Sequence, residues 1–251
     1  MRGAAAALVL GLAAGCAQRA PRVLVCTLSA GFEHEVVRRP SPPAPSIVEQ
    51  ALADLAGGSG GFEVELAREP ADFEPGNLAR FDAVLFYTTG ELPLSGAGRA
   101  ALFGFVSAGG GFVGVHSATD TFHDVPEYGE LIGGYFDLHP WHQEVNVKVE
   151  DRNFPATRHF PPTFTITDEI YQFKNWSRDR VKVLMSLDNN SVDVTKKDVR
   201  RADKDFAVAW YRQYGKGRVF YCSLGHRNSV WDRPDIQKMW LEAMRWALGQ
   251  N

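Results

Sequence analysis

Four short strand-like runs in the first half of the chain limit what it can fold into: Arg22-Val-Leu-Val-Cys-Thr-Leu28, residues 62–66, Asp82-Ala-Val-Leu-Phe-Tyr87 and residues 111–115. Each has the length of a buried strand and is too short for a buried helix. Helical patterns lie between them. Ser46 is placed to cap a helix with Ile47, Leu52 and Leu55 on its apolar side, and Gly57-Gly-Ser-Gly-Gly61 ends it. Residues 95–107 give a second helix. Strand, helix and strand repeated with short connections implies parallel pairing, and so an α/β fold with a doubly wound, mostly parallel sheet. The second half is β-rich. Glu144-Val-Asn-Val-Lys-Val-Glu150 alternates as a strand with one wet face, and residues 181–187, 207–211 and 218–222 follow, the last two joined by a hairpin-like Gln213-Tyr-Gly-Lys-Gly217. Residues 234–248 place Ile236, Met239, Trp240, Ala243, Met244 and Ala247 on one helix face. Residues 151–206, polar and proline-containing, are expected to include mobile loops.

The first residues read as a targeting signal. Arg2 precedes an apolar stretch over residues 4–12 that is too short to span a bilayer, and Ala13-Ala14-Gly15 leads into Cys16. This resembles the lipobox of bacterial lipoproteins, although Leu12 stands four residues before the cysteine rather than three. The expected division is a signal peptide over residues 1–15, a tether over 16–21 and one domain over 22–250. Lipidation of Cys16 would anchor that domain at the bacterial cell envelope, in the periplasm or at the outer membrane. Lys plus Arg is 27 against 30 Asp plus Glu, so no basic surplus points to nucleic acid. Cys26 and Cys222 lie in apolar runs and read as buried free thiols, with a disulfide between them the alternative in an oxidising compartment.

Sites in parallel sheets collect where strands end at their carboxyl edge. Three such ends carry histidine: Gly31-Phe-Glu-His34, Gly114-Val-His116-Ser-Ala-Thr-Asp120 and Ser223-Leu-Gly-His226. A fourth segment, Gly133-Gly-Tyr-Phe-Asp-Leu-His139-Pro-Trp-His142, reads as a loop. Because parallel strands share one edge, His34, His116 and His226 should line one cleft, with His139 brought in. With Asp120, His142, Glu144 and Glu169 they form a polar set open to two chemistries. One is a divalent metal such as zinc, on His116, His139 and His226. The other is metal-free acid–base work, with Asp120 orienting an imidazole. Gly109-Gly-Gly-Phe-Val-Gly114 satisfies GxGxxG but enters a strand instead of following one, so it is not a dinucleotide fingerprint.

The Gly31-Phe-x-His34 segment, the Gly-Gly-Gly-Phe-Val-Gly-Val-His-Ser run at 109–117, Leu-Ile-Gly-Gly-x-Phe with His139-Pro140, Thr167-Asp-Glu-Ile-Tyr171, and Tyr-Gly-Lys-Gly-Arg-Val-Phe-Tyr before Ser-Leu-Gly-His226 together resemble the ThuA-like (trehalose utilisation) family over residues 22–248. The resemblance implies a flavodoxin-like core akin to class I glutamine amidotransferases, and a link to carbohydrate catabolism. It departs from the amidotransferases at one position. Their Gly-x-Cys-x-Gly turn is here Gly114-Val-His116-Ser-Ala118, so an imidazole replaces the thiol and glutaminase activity is not expected. The carbohydrate link implies a saccharide partner, bound by His34, Phe32, Trp141, Glu169 and Tyr171, with His116, His226 and Asp120 as the catalytic candidates. Two readings follow: an enzyme acting on a saccharide or keto-sugar, or a non-catalytic carbohydrate-binding lipoprotein.

Overall fold

A computed structural model describes residues 19–41 and 43–250. The signal peptide and Cys16 lie outside the described residues. The chain runs β1 (Arg22–Cys26), α1 (Ile47–Leu55), β2 (Glu63–Leu66), a single-turn α2 (Pro75–Leu78), β3 (Ala83–Phe86), α3 (Gly96–Ala108), β4 (Gly111–Val115) and α4 (Pro126–Ile132). It continues through β5 (Tyr135–Val149), β6 (Thr163–Lys174), β7 (Lys182–Leu187), β8 (Ala207–Tyr214), β9 (Gly217–Cys222), a short α5 (Asn228–Trp231) and α6 (Pro234–Ala247).

Helices α1 and α3 begin where their caps dictate. Ser46 and Glu49 form a reciprocal capping box at the start of α1, and Ser95 accepts a 2.8 Å bond from the Gly98 amide at the start of α3. Along β1, Val23 and Val25 face α1 and α6, while Leu24 and Cys26 face the side covered by α2, α3 and α4. Both faces are dry at β1, β3 and β4, which is why these three read as continuous apolar runs, whereas the edge strand β2 is only partly covered. Cys26 and Cys222 are free, buried, and packed in different clusters; burial pushes the Cys26 thiol up to about 12.

The nine strands form one sheet in the order β2-β1-β3-β4-β9-β8-β7-β5-β6. Pairing is parallel from β2 to β9 and antiparallel from β9 to β6. The sheet is therefore mixed, and the expectation of a mostly parallel, flavodoxin-like sheet is corrected. The reason lies in the connections. Parallel neighbours need crossovers of about a dozen residues or more, usually helical. No helix longer than one 3-10 turn separates the strands from β5 to β9 among the described residues. The turn from β8 to β9 is just Gly215 and Lys216.

The second correction is β6. No strand is expected between residues 150 and 181, yet the 12-residue β6 forms there and pairs along most of β5. Its alternation is masked because Asp168 and Glu169, two acids in the middle, are both buried. The segment around His139 is likewise strand, not loop.

Strand β5 touches β7 only at Val147, Lys148 and Val149; before that it pairs with β6 alone. The two form a ribbon that extends past the sheet. In a flat sheet five inter-strand steps of about 4.8 Å would put β6 roughly 24 Å from β4. The ribbon instead coils back over the carboxyl ends of β4 and β9, as strongly twisted two-stranded ribbons can.

Candidate functional site

Strand β4 ends in a sharp turn at His116, whose φ of +46° lies in the left-handed region. Two residues earlier a side chain at Gly114 would place Cβ 3.0 Å from Tyr221 and 3.1 Å from Ile132, so the approach to the turn is tightly packed. The His116 ring is completely buried. Its Nδ1 donates to the Ser223 carbonyl at 2.6 Å, which leaves Nε2 as a lone pair. The Tyr171 hydroxyl donates to that nitrogen at 2.9 Å.

Glu169 stands two residues before Tyr171 on β6, on the same face. Its two oxygens divide the surrounding imidazoles. Oε2 lies 3.2 Å from His116 Nε2 and 3.2 Å from His226 Nδ1, and those nitrogens are 3.3 Å apart. Oε1 contacts His142 Nε2 and lies 3.4 Å from His139 Nδ1; these nitrogens are 3.1 Å apart. His34 packs edge-on to His116 and His226, with ring centroids 4.8 and 5.3 Å away. Its Nδ1 is buried without a partner among the described residues.

Three local devices hold this cluster. The first is a pair of register irregularities in β5 between Phe136 and Trp141. Residues three apart on a regular strand face opposite ways; the irregularity brings His139 and His142 to one side. The second is Asp168, whose oxygens accept from the Gly225 amide at 2.7 Å and the Arg227 amide at 3.1 Å, gripping both flanks of His226. The third is buried Glu49, which accepts from Arg39 Nε at 3.0 Å and from Thr27 Oγ1 at 2.7 Å. Thr27 and Arg39 bracket the loop that carries His34, so this ion pair ties that loop to α1.

The cluster is electrostatically polarised. Burial and the neighbouring His116 and His226 push His34 down to about 3, so it is neutral near pH 7. Burial also lowers His142. The Glu169 hydrogen bond raises His226. Burial opposes ionisation of Glu169, but the facing His116 and His226 imidazoles outweigh it and hold the carboxyl far below its usual range. Burial lifts the Tyr171 phenol well above its usual value and keeps it a donor.

The open side is a cleft of about 390 Å³ lined by Phe32, His34, Asp120, Phe136, His139, His142, Glu169, Tyr171 and His226. Its volume is within the range of small-molecule sites. The expected convergence of His34, His116 and His226 occurs, with His139 and His142 beside them. Asp120 reaches the cleft wall, but its partner is His123 at 2.8 Å, not His116 or His226. Phe32 is 67% exposed at the mouth, edge-on to His34. Trp141 is corrected: fully buried against Phe206, it offers no face to a ligand, because the neighbouring His142 takes the cleft side of the strand. Tyr135, Phe173, Trp176 and Trp231 are also buried, and Glu144 is exposed on β5 outside the cleft. The metal set of His116, His139 and His226 is regrouped, since His139 faces the other oxygen of Glu169. Phe136, stacked on His139, and the support Asp168 fall within quoted motifs without a role being assigned to them there, and Glu49 has no signal in the one-dimensional pattern.

A cleft that gathers imidazole lone pairs and one carboxylate can hold a divalent cation or transfer protons on a bound polar molecule. The fold is shared with solved structures. A ThuA-like protein from Bacteroides uniformis is 24% identical, with a TM-score of 0.73, covering 92% of this chain and 93% of that one. A ThuA-like protein from Parabacteroides merdae is 15% identical with a TM-score of 0.68, over 92% of this chain and 90% of that one. A cytoplasmic protein from Salmonella typhimurium is 10% identical with a TM-score of 0.59, over 90% and 98% of the two chains. No curated protein matches the sequence. The family described as ThuA, trehalose utilisation, matches residues 22–247, almost all of the described chain, and the protein belongs to it.

Proposed function

We propose that this ThuA-family protein is an enzyme of carbohydrate utilisation that works on a saccharide or keto-sugar in the Glu169 cleft, by imidazole acid–base or metal-assisted chemistry. The observation that carries the reading is the convergence of His34, His116, His139, His142 and His226 on one buried carboxylate. Hydrogen-bonding a sugar needs no such concentration of imidazole. The exposed ring of Phe32 at the mouth suits the apolar face of a sugar. A panel of saccharides and their keto derivatives, incubated with the protein and followed for product by mass spectrometry, tests it. Turnover that falls with Glu169→Gln is expected. Affinity without product across the panel would replace the enzyme with a carbohydrate-binding protein.

The turn geometry bears on glutamine. His116, in a left-handed turn, fills the sequence slot of the amidotransferase cysteine, and Cys26 and Cys222 are buried in the sheet. No ammonia release from glutamine is expected, and thiol alkylation should leave any turnover intact. Thiol-dependent glutaminase activity would overturn this. Envelope anchoring through Cys16 is part of the same proposal. Wild-type protein should partition with membranes and Cys16→Ser should be released; soluble wild-type protein that keeps residues 1–15 would refute it.

A further inference from the structure

We infer that the cleft is a two-ion site for zinc-class divalent cations, in which Glu169 bridges an inner ion through Oε2 and an outer ion through Oε1. The inference shares its cleft with the sugar reading above but does not depend on it.

The spacing of the donors carries the argument. Tetrahedral bonds of about 2.1 Å place neighbouring donor atoms about 3.4 Å apart. His116 Nε2, His226 Nδ1 and Glu169 Oε2 form a triangle with edges of 3.2, 3.2 and 3.3 Å, one face of such a tetrahedron. His34 supplies the fourth corner, with a ring nitrogen within 4.8 Å of the other three donors. On the other oxygen, His139 Nδ1 lies 3.4 Å from Oε1 and 3.1 Å from His142 Nε2, which itself contacts Oε1.

The chemistry of the atoms agrees. His116 spends its Nδ1 proton on the Ser223 carbonyl, so its Nε2 and the Glu169 carboxylate point lone pairs at one another. A cation between them satisfies both, in place of the bond from the Tyr171 hydroxyl. A backbone carbonyl on the far nitrogen is also the usual support of a metal-bound imidazole. His34 is only 5% exposed, and its buried Nδ1 has no partner among the described residues. Imidazole with carboxylate suits zinc and similar first-row ions.

The two positions differ in kind. The inner one has four protein donors and is closed. The outer one has three, two of them on histidines more than two-fifths exposed, and leaves a coordination position for water or a substrate oxygen.

The test uses the full chain without a histidine tag, stripped by chelator and titrated with Zn²⁺ alone, and separately with Mn²⁺ alone, by calorimetry with elemental analysis. Two equivalents per chain are expected for at least one of the ions. The His139→Ala/His142→Ala pair, at exposed positions, should keep one. Glu169→Gln should weaken both by more than the roughly 10–100-fold that loss of a supporting partner costs. Thermal melts of each metal-free form establish that it is folded; if Glu169→Gln is not, the double variant decides alone. Saturation at one equivalent or fewer with both ions, or two equivalents retained by the double variant, overturns the inference. Two bound ions with no turnover of any saccharide would sink the sugar reading and leave this one. Turnover by folded protein that takes up neither ion would do the reverse.

Discussion

His116 combines a left-handed backbone with a fully buried ring. Such a conformation costs a non-glycine residue roughly 1–2 kcal/mol and persists only where the surroundings over-determine it. Here they do so through the Ser223 carbonyl and the Tyr171 hydroxyl. An imidazole at a strand end would ordinarily be expected to support little packing. This one does not fit that expectation, so His116→Ala should lower unfolding free energy by about 1–3 kcal/mol in a denaturant titration, because two buried partners lose their bonds. Where turnover is found, its rate should fall by about 10²–10⁴ at temperatures where the variant stays folded. Tyr171→Phe separates the two effects. The ring keeps its packing 4.5 Å from Phe136 while the donor is lost, and the stability change should stay near 1 kcal/mol. The histidines at 34, 116 and 226 are legible as a cluster before any coordinates, because they close three strands that share an edge. Glu169 is named with them, but its place as their common partner is not legible. Glu169 is one acid of an adjacent pair, and nothing in a linear pattern says that Asp168 grips backbone while Glu169 meets rings.

At the scale of elements, the loop between β1 and α1 is held by Glu49. Burial pushes this carboxyl up, but bonds from Arg39, the Ser46 amide and Thr27 more than offset it, and the net shift is downward. An unfolded glutamate titrates near 4.3. The stabilisation is therefore complete above that value and lost as pH falls through the lower folded value. Glu49→Gln should cost about 1–3 kcal/mol at pH 7, and its stability should vary less than wild type between roughly pH 5 and pH 3. Unfolding midpoints across that range check it; parallel acid limbs would assign the pair no such role. Asp168→Asn replaces one acceptor with an NH₂ group opposite an amide, and should lower the melting temperature and shift the His226 ring resonances. The elements themselves were unequally readable. Helices α1, α3 and α6 follow their caps and stripes. Strand β6 does not, because its buried acids break the alternation, and the His139 segment does not, because its proline and irregular register disguise strand as loop.

Over the whole molecule, the site joins two kinds of sheet. The parallel strands present His34, His116 and His226; the coiled ribbon brings Glu169, Tyr171, His139 and His142. Residues 135–146 of that ribbon pair on one side only, so their amides should exchange faster than those of β3 and β4. A ligand that bridges the halves should slow them selectively and raise the melting temperature, adding about 2.7 kcal/mol of stability at a hundred times its dissociation constant. Exchange followed by mass spectrometry, with and without Zn²⁺, checks both. Strand order was the least readable level, since pairing partners are set by connections and coiling rather than by any one segment. The same geometry has a biosynthetic consequence. The donors are strung from residue 34 to residue 226, and Glu169 meets His226 only after β9 is laid down beside β4. A chain still emerging from the ribosome or from an export channel can fold its early strands, but it carries no working cleft. Whatever the cleft captures, it captures only after synthesis has passed residue 226, in the compartment where the finished chain folds.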